Sequence, residues 1–171
     1  MASWTVPTIF ATGDVLDIAS ANTWSNDLTF LYQAPYINAY AASVAVPTGT
    51  LTQLPMTGTQ FSAYGASVDT STGNIAMPLA GLYWVFGQYG ITIGSDDQFW
   101  AEIYQNGGMV IRGTIKNPYF TGPNYANVGG IILASAADTI GLWVWQTSGN
   151  TQDTVGGNNG TNLSAFFIGS T

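Results

Sequence analysis

The amino-acid sequence predicts an all-β sandwich or barrel, preceded by an N-terminal arm and one α-helix. Strand-like segments recur at intervals of about 8 to 15 residues, and turn signals rich in Gly, Asn and Pro separate them. A content of 46% hydrophobic and 13% aromatic residues is typical of a folded chain. The strand-like segments are residues 60–64, 81–92, 98–105, 109–115, 128–134, 139–146 and 162–169.

The N-terminal 35 residues differ from the rest in pattern. Residues 1–11 combine aromatic residues with a Pro, which is typical of an extended arm that a partner orders. From residue 17 to residue 33, apolar residues recur at three- and four-residue steps and predict an amphipathic helix. Asp17 suits its N-cap, and Pro35 ends it. The apolar stripe of this helix consists of Ile18, Ala21, Trp24, Leu28 and Leu31.

Pro and Gly punctuate residues 36–55, which we interpret as a connector with short β-type runs. The sandwich then occupies residues 56–171. Within it, the Asn106-Gly107-Gly108 sequence favours a tight hairpin turn, because Asn and Gly accept the positive φ that such turns need.

Two apolar runs, residues 128–134 and 139–146, meet at a short break and predict an antiparallel hairpin. The period of two in the second run places Ile140, Leu142 and Val144 on a core face. The opposite face carries Trp143 and Trp145, and two neighbouring indoles in water form a patch that monomers seldom display. We therefore expect something to cover these two side chains.

Some strands are apolar on both faces, as in residues 81–86 and 165–168. A two-sheet sandwich needs only one apolar face for each sheet. The additional face predicts burial between subunits, and a homo-oligomer of closed symmetry is the usual way to achieve it.

Charge excludes some classes of partner. Only 6% of residues are charged, against about 25% in an ordinary domain, and Arg112 and Lys116 are the only basic residues. With a net charge of −7, we expect neither nucleic acid nor an anionic membrane surface as a partner. Arg112 and Lys116 either pair with carboxylates of a neighbouring segment or subunit or serve as solubilising charges. No secretory signal pattern and no long apolar span is readable.

The residues that most catalytic sites need are missing. The chain has no His and no Cys, so general bases and nucleophiles of the commonest kinds, disulfides and zinc–thiolate sites are excluded. Asp96 and Asp97 with Glu102 suggest a paired-carboxylate hydrolase site, but the adjacent Asp residues fit a solvated turn better and Glu102 fits an outward strand position. We therefore expect no enzyme and no cofactor.

Four blocks of residues 56–169 resemble the C1q/TNF-like trimeric jelly rolls. Residues 72–83 resemble the TG-x-F-x-AP-x-x-G-x-Y signature, with Ile75 for the aromatic residue and Met77 for Ala. Residues 103–107 resemble the L-x-K-N-G turn. Residues 129–142 resemble GG-x-x-x-L followed by GD-x-V-x-L, with Ala137 in place of Gly, and residues 162–168 resemble the closing S-x-F-S-G-F-L-L strand.

This resemblance implies a jelly-roll β-sandwich that forms a homotrimer. It places residues 130–133 in the inner sheet near the threefold axis and residues 139–146 in the outer sheet, with Trp143 and Trp145 covered by the loop of residues 116–127 or by the surface that holds the trimer. Similar proteins can hold Ca²⁺ near the trimer apex, for which the candidates are Asp96, Asp97 and Asp153. The implied trimer interface consists of Tyr83, Val85, Ile131, Leu133 and Phe167.

The first third resembles the N-termini of tailed-bacteriophage virion structural proteins. Residues 3–6 match a W-T-V element, residues 10–16 a G-E-V-L-T-like turn with Asp14 for Glu, and residues 22–31 the following helix, with Asp17 for the capping Thr and Ser25-Asn26-Asp27 for the usual R-D-N. In those proteins this segment precedes a C-terminal jelly roll. The resemblance implies that the N-terminal segment anchors the chain to other virion proteins through Trp4, Ile9, Phe10, Trp24, Leu28 and Leu31.

Taken together, the residues and both resemblances predict a non-enzymatic bacteriophage virion structural protein. It would be made in the host cytoplasm and form a homotrimer on the particle, as a capsid decoration or minor structural protein. The alternative is a receptor-binding module of a phage fibre or tail, with its aromatic residues recognising a host-surface glycan. A secreted adhesin is disfavoured because neither a signal peptide nor a Gly-X-Y run is present.

Overall fold

The computed structural model describes residues 33–94, 96–117 and 122–170, which form strands, turns and bends and no helix. The predicted arm and helix lie outside these residues, together with the proposed anchoring residues Trp4, Ile9, Phe10, Trp24, Leu28 and Leu31. No helix long and apolar enough to cross a membrane occurs in the described part of the chain. The strands are β1 (Tyr36–Ala41), β2 (Ala45–Val46), β3 (Thr52–Leu54), β4 (Met56–Ala63), β5 (Ser67–Asp69), β6 (Asn74–Ala76), β7 (Gly81–Ile93), β8 (Phe99–Gln105), β9 (Gly108–Arg112), β10 (Gly122–Ala134), β11 (Thr139–Gln146), β12 (Gln152–Asp153) and β13 (Asn162–Gly169).

Two antiparallel sheets face each other. The five-stranded sheet has the order β10-β7-β13-β1-β4, and the six-stranded sheet has the order β5-β6-β11-β8-β9 with β3 added beside β11. From β7 onwards the chain passes from the first sheet to β8 and β9 in the second, returns for β10, crosses again for β11 and ends in β13. This repeated crossing is jelly-roll connectivity, and it confirms the predicted all-β jelly-roll sandwich.

The core lies between the sheets. Ile140, Leu142 and Val144 are fully buried in it, as the period of two in this strand predicts. The predicted hairpin turn is also present, because Asn106 and Gly107 both have positive φ where they join β8 to β9.

The segment predicted as a connector is part of the sandwich. β1 lies inside the five-stranded sheet, between β13 and β4, and its residues Ile37, Ala39 and Ala41 are fully buried. The Pro and Gly residues of this segment therefore mark turns between strands of one domain, not a boundary between domains.

The predicted hairpin of residues 128–146 does not form. β10 pairs with β7, whereas β11 pairs with β8, β6 and β3, so the turn between them carries the chain from one sheet to the other. This agrees with the arrangement that the family resemblance implies. The turn is held by backbone bonds to Met77, whose carbonyl accepts from Ala137 N at 2.8 Å and whose N–H donates to the Asp138 carbonyl at 2.8 Å.

Candidate functional site

The outward side of the five-stranded sheet carries a continuous row of large apolar side chains. Strand register places Ile131 opposite Trp84, Trp84 opposite Phe166, and Phe166 opposite Tyr36, so the row crosses β10, β7, β13 and β1. All four side chains are exposed in the single chain. Leu133 and Ile168 extend the row at its edge. We call these residues the apolar face: Tyr36, Trp84, Ile131, Leu133, Phe166 and Ile168.

The chemistry of the apolar face changes along the strands. One step further along, Ser164 lies opposite Asn38, and Asn38 Nδ2 donates to Ser164 Oγ at 2.7 Å. Beyond them, Gln88 lies opposite Asn162, and both side chains donate to carbonyls of residues 158–160. The sheet surface is therefore apolar at one end and bordered by neutral amides at the other, with no charged side chain in the register positions named.

The five residues predicted for the trimer interface do not share one face. Ile131 and Leu133 lie on the apolar face and are 59% and 60% exposed. Tyr83, Val85 and Phe167 point into the core instead, with Tyr83 only 1% exposed, so their assignment to a subunit interface is wrong. Both alternating faces of β7 and β13 are apolar, and the period of two alone does not say which of them the other sheet covers.

Burial of Tyr83 has its own structural role. Its hydroxyl donates to the Leu79 carbonyl at 3.0 Å, and burial raises the pKa of the phenol. Its ring packs edge-on against Phe167 at 5.1 Å between centroids. Sequence reasoning did not select four residues of the apolar face: Trp84, Phe166, Ile168 and Tyr36. The pattern that could have indicated them is an apolar residue at every second position, on the strand face opposite to Tyr83 and Phe167.

A second aromatic surface lies on the outward side of the six-stranded sheet. Trp100 and Trp145 are opposite each other in register and stack at 4.0 Å between ring centroids with an interplanar angle of 26°. Beside them, Tyr104 and Trp143 pack against each other, with 4.9 Å between their ring centroids and an interplanar angle of 33°. We call these four half-buried side chains the aromatic cluster.

Within the aromatic cluster, Trp145 is partly covered by Trp100 and Trp143 by Tyr104. Each of these two indoles has an aromatic neighbour on β8, and residues 122–127 of the loop predicted to cover them form the first part of β10. Stacking across adjacent strands removes part of each indole from water, so a separate covering loop is unnecessary.

An ion pair lies beneath the aromatic cluster. Glu102 is only 1% exposed although its position on β8 points away from the core, and its Oε1 accepts from Arg112 Nε at 2.6 Å and from Trp100 Nε1 at 2.9 Å. Burial, followed by the negative charge of Glu102, raises the pKa of Tyr104. Arg112 therefore pairs with a carboxylate of the neighbouring strand, which was one of its two predicted roles.

The ion pair is incomplete on both sides. Glu102 Oε2 is buried without a hydrogen-bond partner among the described residues. The Arg112 side chain is 57% exposed, and only its Nε has a partner within that part of the chain. Lys116, the other basic residue, is exposed and has no carboxylate partner among the residues described.

The carboxylates proposed for calcium do not come together. Asp97 Oδ2 accepts from the Gly94 N–H at 2.8 Å, as in a simple turn, and Asp153 lies on β12. No group of three Asp, Glu, His or Cys side chains that could hold a metal ion occurs among residues 33–94, 96–117 and 122–170. Asp96, Asp97 and Asp153 are all described, and within one chain they do not form such a group.

Sheet order, crossings and strand pairing define the protein as a TNF-like jelly roll. Among solved structures, it is similar to Eiger TNF from S. frugiperda, with a TM-score of 0.58, 14% identity, and coverage of 80% of this chain and 95% of that one. It is also similar to murine APRIL in crystals at pH 8.0 and pH 5.0, with TM-scores of 0.59, identities of 11% and 12%, and coverage of 79% of this chain and 99% of APRIL. No family model matches the sequence, and no curated protein does. At these identities the likeness establishes the fold alone.

Proposed function

We propose that this protein is a non-enzymatic structural protein of a bacteriophage virion and that it forms a homotrimer on the particle through its apolar face. The observation that carries the trimer is the row of Ile131, Trp84, Phe166 and Tyr36 across four strands of one sheet. Monomeric proteins rarely leave such a contiguous apolar patch in water.

The composition of the apolar face favours copies of the same chain as its occupants. Burial of apolar surface stabilises association by about 25 cal/mol for each Å² removed from water. Because the row contains no charged side chain, this gain is not opposed by the cost of desolvating a charge. The C1q/TNF-like proteins that the sequence resembles are trimers, which selects this closed symmetry over a dimer.

Attachment to a virion rests on the resemblance of residues 1–33 to phage structural proteins. The test is to supply the phage with either the full chain or a chain that lacks residues 1–33, and to measure incorporation into purified particles by quantitative mass spectrometry. We expect the truncated chain to form a trimer and to be absent from particles. Incorporation of the truncated trimer at the level of the full chain would contradict anchoring by this segment.

A receptor-binding role is a second candidate, favoured by the position of the aromatic cluster. The cluster lies on the outward side of the six-stranded sheet, opposite the apolar face across the sandwich. A trimer formed through the apolar face therefore leaves the cluster open to ligands outside the particle.

A further inference from the structure

We propose that the aromatic cluster, with Arg112, is a binding site for a sugar residue that bears a carboxylate. This proposal deepens the receptor-binding candidate and rests on it, but it does not depend on the trimer or on attachment to a particle. It follows from three features of the outward side of β8, β9 and β11.

The first feature is the concentration of aromatic rings on a sheet side that faces solvent. Trp100, Tyr104, Trp143 and Trp145 occupy alternating positions of β8 and β11 whose other side forms the core. Their side chains stay partly exposed after stacking on one another. Amphipathic aromatic side chains of this kind contribute large apolar contact area with a polar edge, which suits the apolar C–H surface and the hydroxyl rim of a pyranose ring.

The second feature is a guanidinium group that is fixed on one side and open on the other. Arg112 donates its Nε to Glu102, which Trp100 Nε1 holds in place, and the terminal amino groups of Arg112 have no partner among the described residues. A planar guanidinium fork binds a carboxylate with two parallel hydrogen bonds. Glu102 thus acts as a positioning residue for Arg112.

The third feature is the unused acceptor of Glu102. Oε2 is buried beside the rings, and no described donor lies within hydrogen-bond distance of it, although a side-chain interaction with Glu102 contributes to the raised pKa of the neighbouring Tyr104. Buried polar atoms normally have a closer partner. A hydroxyl group of a bound sugar supplies the missing donor after a small displacement of the surrounding side chains.

Charge excludes the other ligands that aromatic sites take. A cationic ligand would lie beside the exposed positive charge of Arg112, which opposes its binding. A nucleic acid would need several cations to neutralise phosphates, and the whole chain has two basic residues and a net charge of −7. One carboxylate on an otherwise neutral, hydroxyl-rich ring fits one open guanidinium.

The test uses the full chain and a panel of oligosaccharides that contain glucuronate, galacturonate or N-acetylneuraminate, each paired with its carboxyl methyl ester. Tryptophan fluorescence and titration calorimetry measure binding. We expect saturable binding of at least one acidic member, and at least tenfold weaker binding of its ester. Failure of the whole panel to bind, or equal affinity for acid and ester, would overturn the proposal.

Variants locate the binding. Trp145→Ala and Arg112→Gln should each lower the affinity for the acidic oligosaccharide at least tenfold. Arg112→Lys should retain the fold and the charge, but it should lose most of the preference for the acidic oligosaccharide over its methyl ester. Lys116→Gln removes the same charge from an exposed position outside the strands and should bind as the wild type does. Unchanged affinity in folded Trp145→Ala or Arg112→Lys would place the sugar elsewhere and refute the site. Binding by an Ile131→Asp chain separates this site from the trimer, because only the trimer proposal involves that residue.

Discussion

At the scale of single residues, Ala137 is a point of conformational strain. Its φ is +72°, a left-handed conformation that costs an L-residue about 1–2 kcal/mol. The family that the sequence resembles has Gly at this position. Ala137→Gly should therefore raise the free energy of unfolding by about 1 kcal/mol, measured by denaturant titration at fixed protein concentration.

The neighbouring Ala136 supplies the control for this substitution. It is exposed and is not among the residues with positive φ. Ala136→Gly should lower stability by about 0.5–1 kcal/mol, since Gly only adds freedom to the unfolded chain there. Equal effects of the two substitutions would show that the turn conformation is not strained.

Asp138 makes the same turn sensitive to pH. Its Oδ1 accepts from Asn106 Nδ2 at 2.7 Å, and its Oδ2 accepts from Gln105 Nε2 at 2.7 Å and from Ser135 N at 2.8 Å. These bonds, that from Asn106 first, lower the pKa of the carboxyl group below its usual value. A lowered folded-state pKa adds stability above the unfolded value of about 3.9, and this stability is lost as the pH falls through the folded value.

The expected result is a smaller loss of thermal stability on acidification in Asp138→Asn than in the wild type. Thermal midpoints between neutral pH and about pH 2.5 test it. Asp69 also has a lowered pKa, through its bonds to Ser71 and Thr72, so some acid dependence should persist in the variant. Parallel curves for the two proteins would contradict the assignment to Asp138.

At the scale of elements, one ion pair joins β8 to β9, and its two partners are buried to very different extents. Glu102 is buried and Arg112 is largely exposed. Removal of the arginine therefore leaves a buried carboxylate without its counter-charge, whereas removal of the glutamate leaves a cation that water can solvate. Arg112→Ala should lower the free energy of unfolding by about 1–3 kcal/mol. Lys116→Ala, at an exposed site without an ion pair in the described structure, should change it by less than about 0.5 kcal/mol.

A second substitution tests the cause of that loss. Glu102→Gln in the Arg112→Ala background should restore part of the lost stability, because a neutral amide is easier to bury than an unpaired carboxylate. If the double variant is no more stable than Arg112→Ala, loss of packing by the arginine stem explains the effect, not the unpaired charge.

The burial and pairing of a strand can be predicted from the sequence only where its own residues distinguish its two faces and indicate its partner strand. β11 was assigned to the correct face because its aliphatic residues Ile140, Leu142 and Val144 alternate with two Trp and a Gly. β7 was not, because Tyr83 and Trp84 are equally suited to a core. The sheet crossing after β10 was invisible to local pattern, since adjacency in sequence favours a hairpin and only the family resemblance indicated otherwise.

The candidate sites were predictable only in part for the same reason. The high content of aromatic residues predicts an additional apolar surface. The row through Trp84 and Phe166, however, depends on the register between strands that are far apart in sequence. Likewise, the sequence pattern indicates that Glu102 is an outward strand residue. It is nevertheless buried, with Arg112 of β9 and Trp143 of β11 opposite it in register and Trp100 of β8 bonded to it.

At the scale of the whole molecule, the sandwich has two different sides. One side is apolar and uncharged, and we propose that it contacts copies of the same chain. The other side combines stacked indoles with a fixed guanidinium, and we propose that it binds a small polar ligand. Such a division allows one fold to assemble through one sheet and bind through the other. The likeness to Eiger and APRIL establishes the fold alone. The interface and ligand-binding proposals rest on residues of the described sheets, and the virion proposal rests on the resemblance of residues 1–33 to phage structural proteins.

The most direct test of the central claim is the mass of the purified full chain in dilute solution, measured by sedimentation equilibrium. We expect three times the chain mass of 18.0 kDa for the wild type and for Ser67→Asp, an exposed substitution on the other sheet. Ile131→Asp places a charge on the apolar face, at its end on the edge strand β10, and should give a folded species of 18.0 kDa. A wild type that sediments as a monomer, or an Ile131→Asp chain that stays trimeric, would contradict assembly through this face.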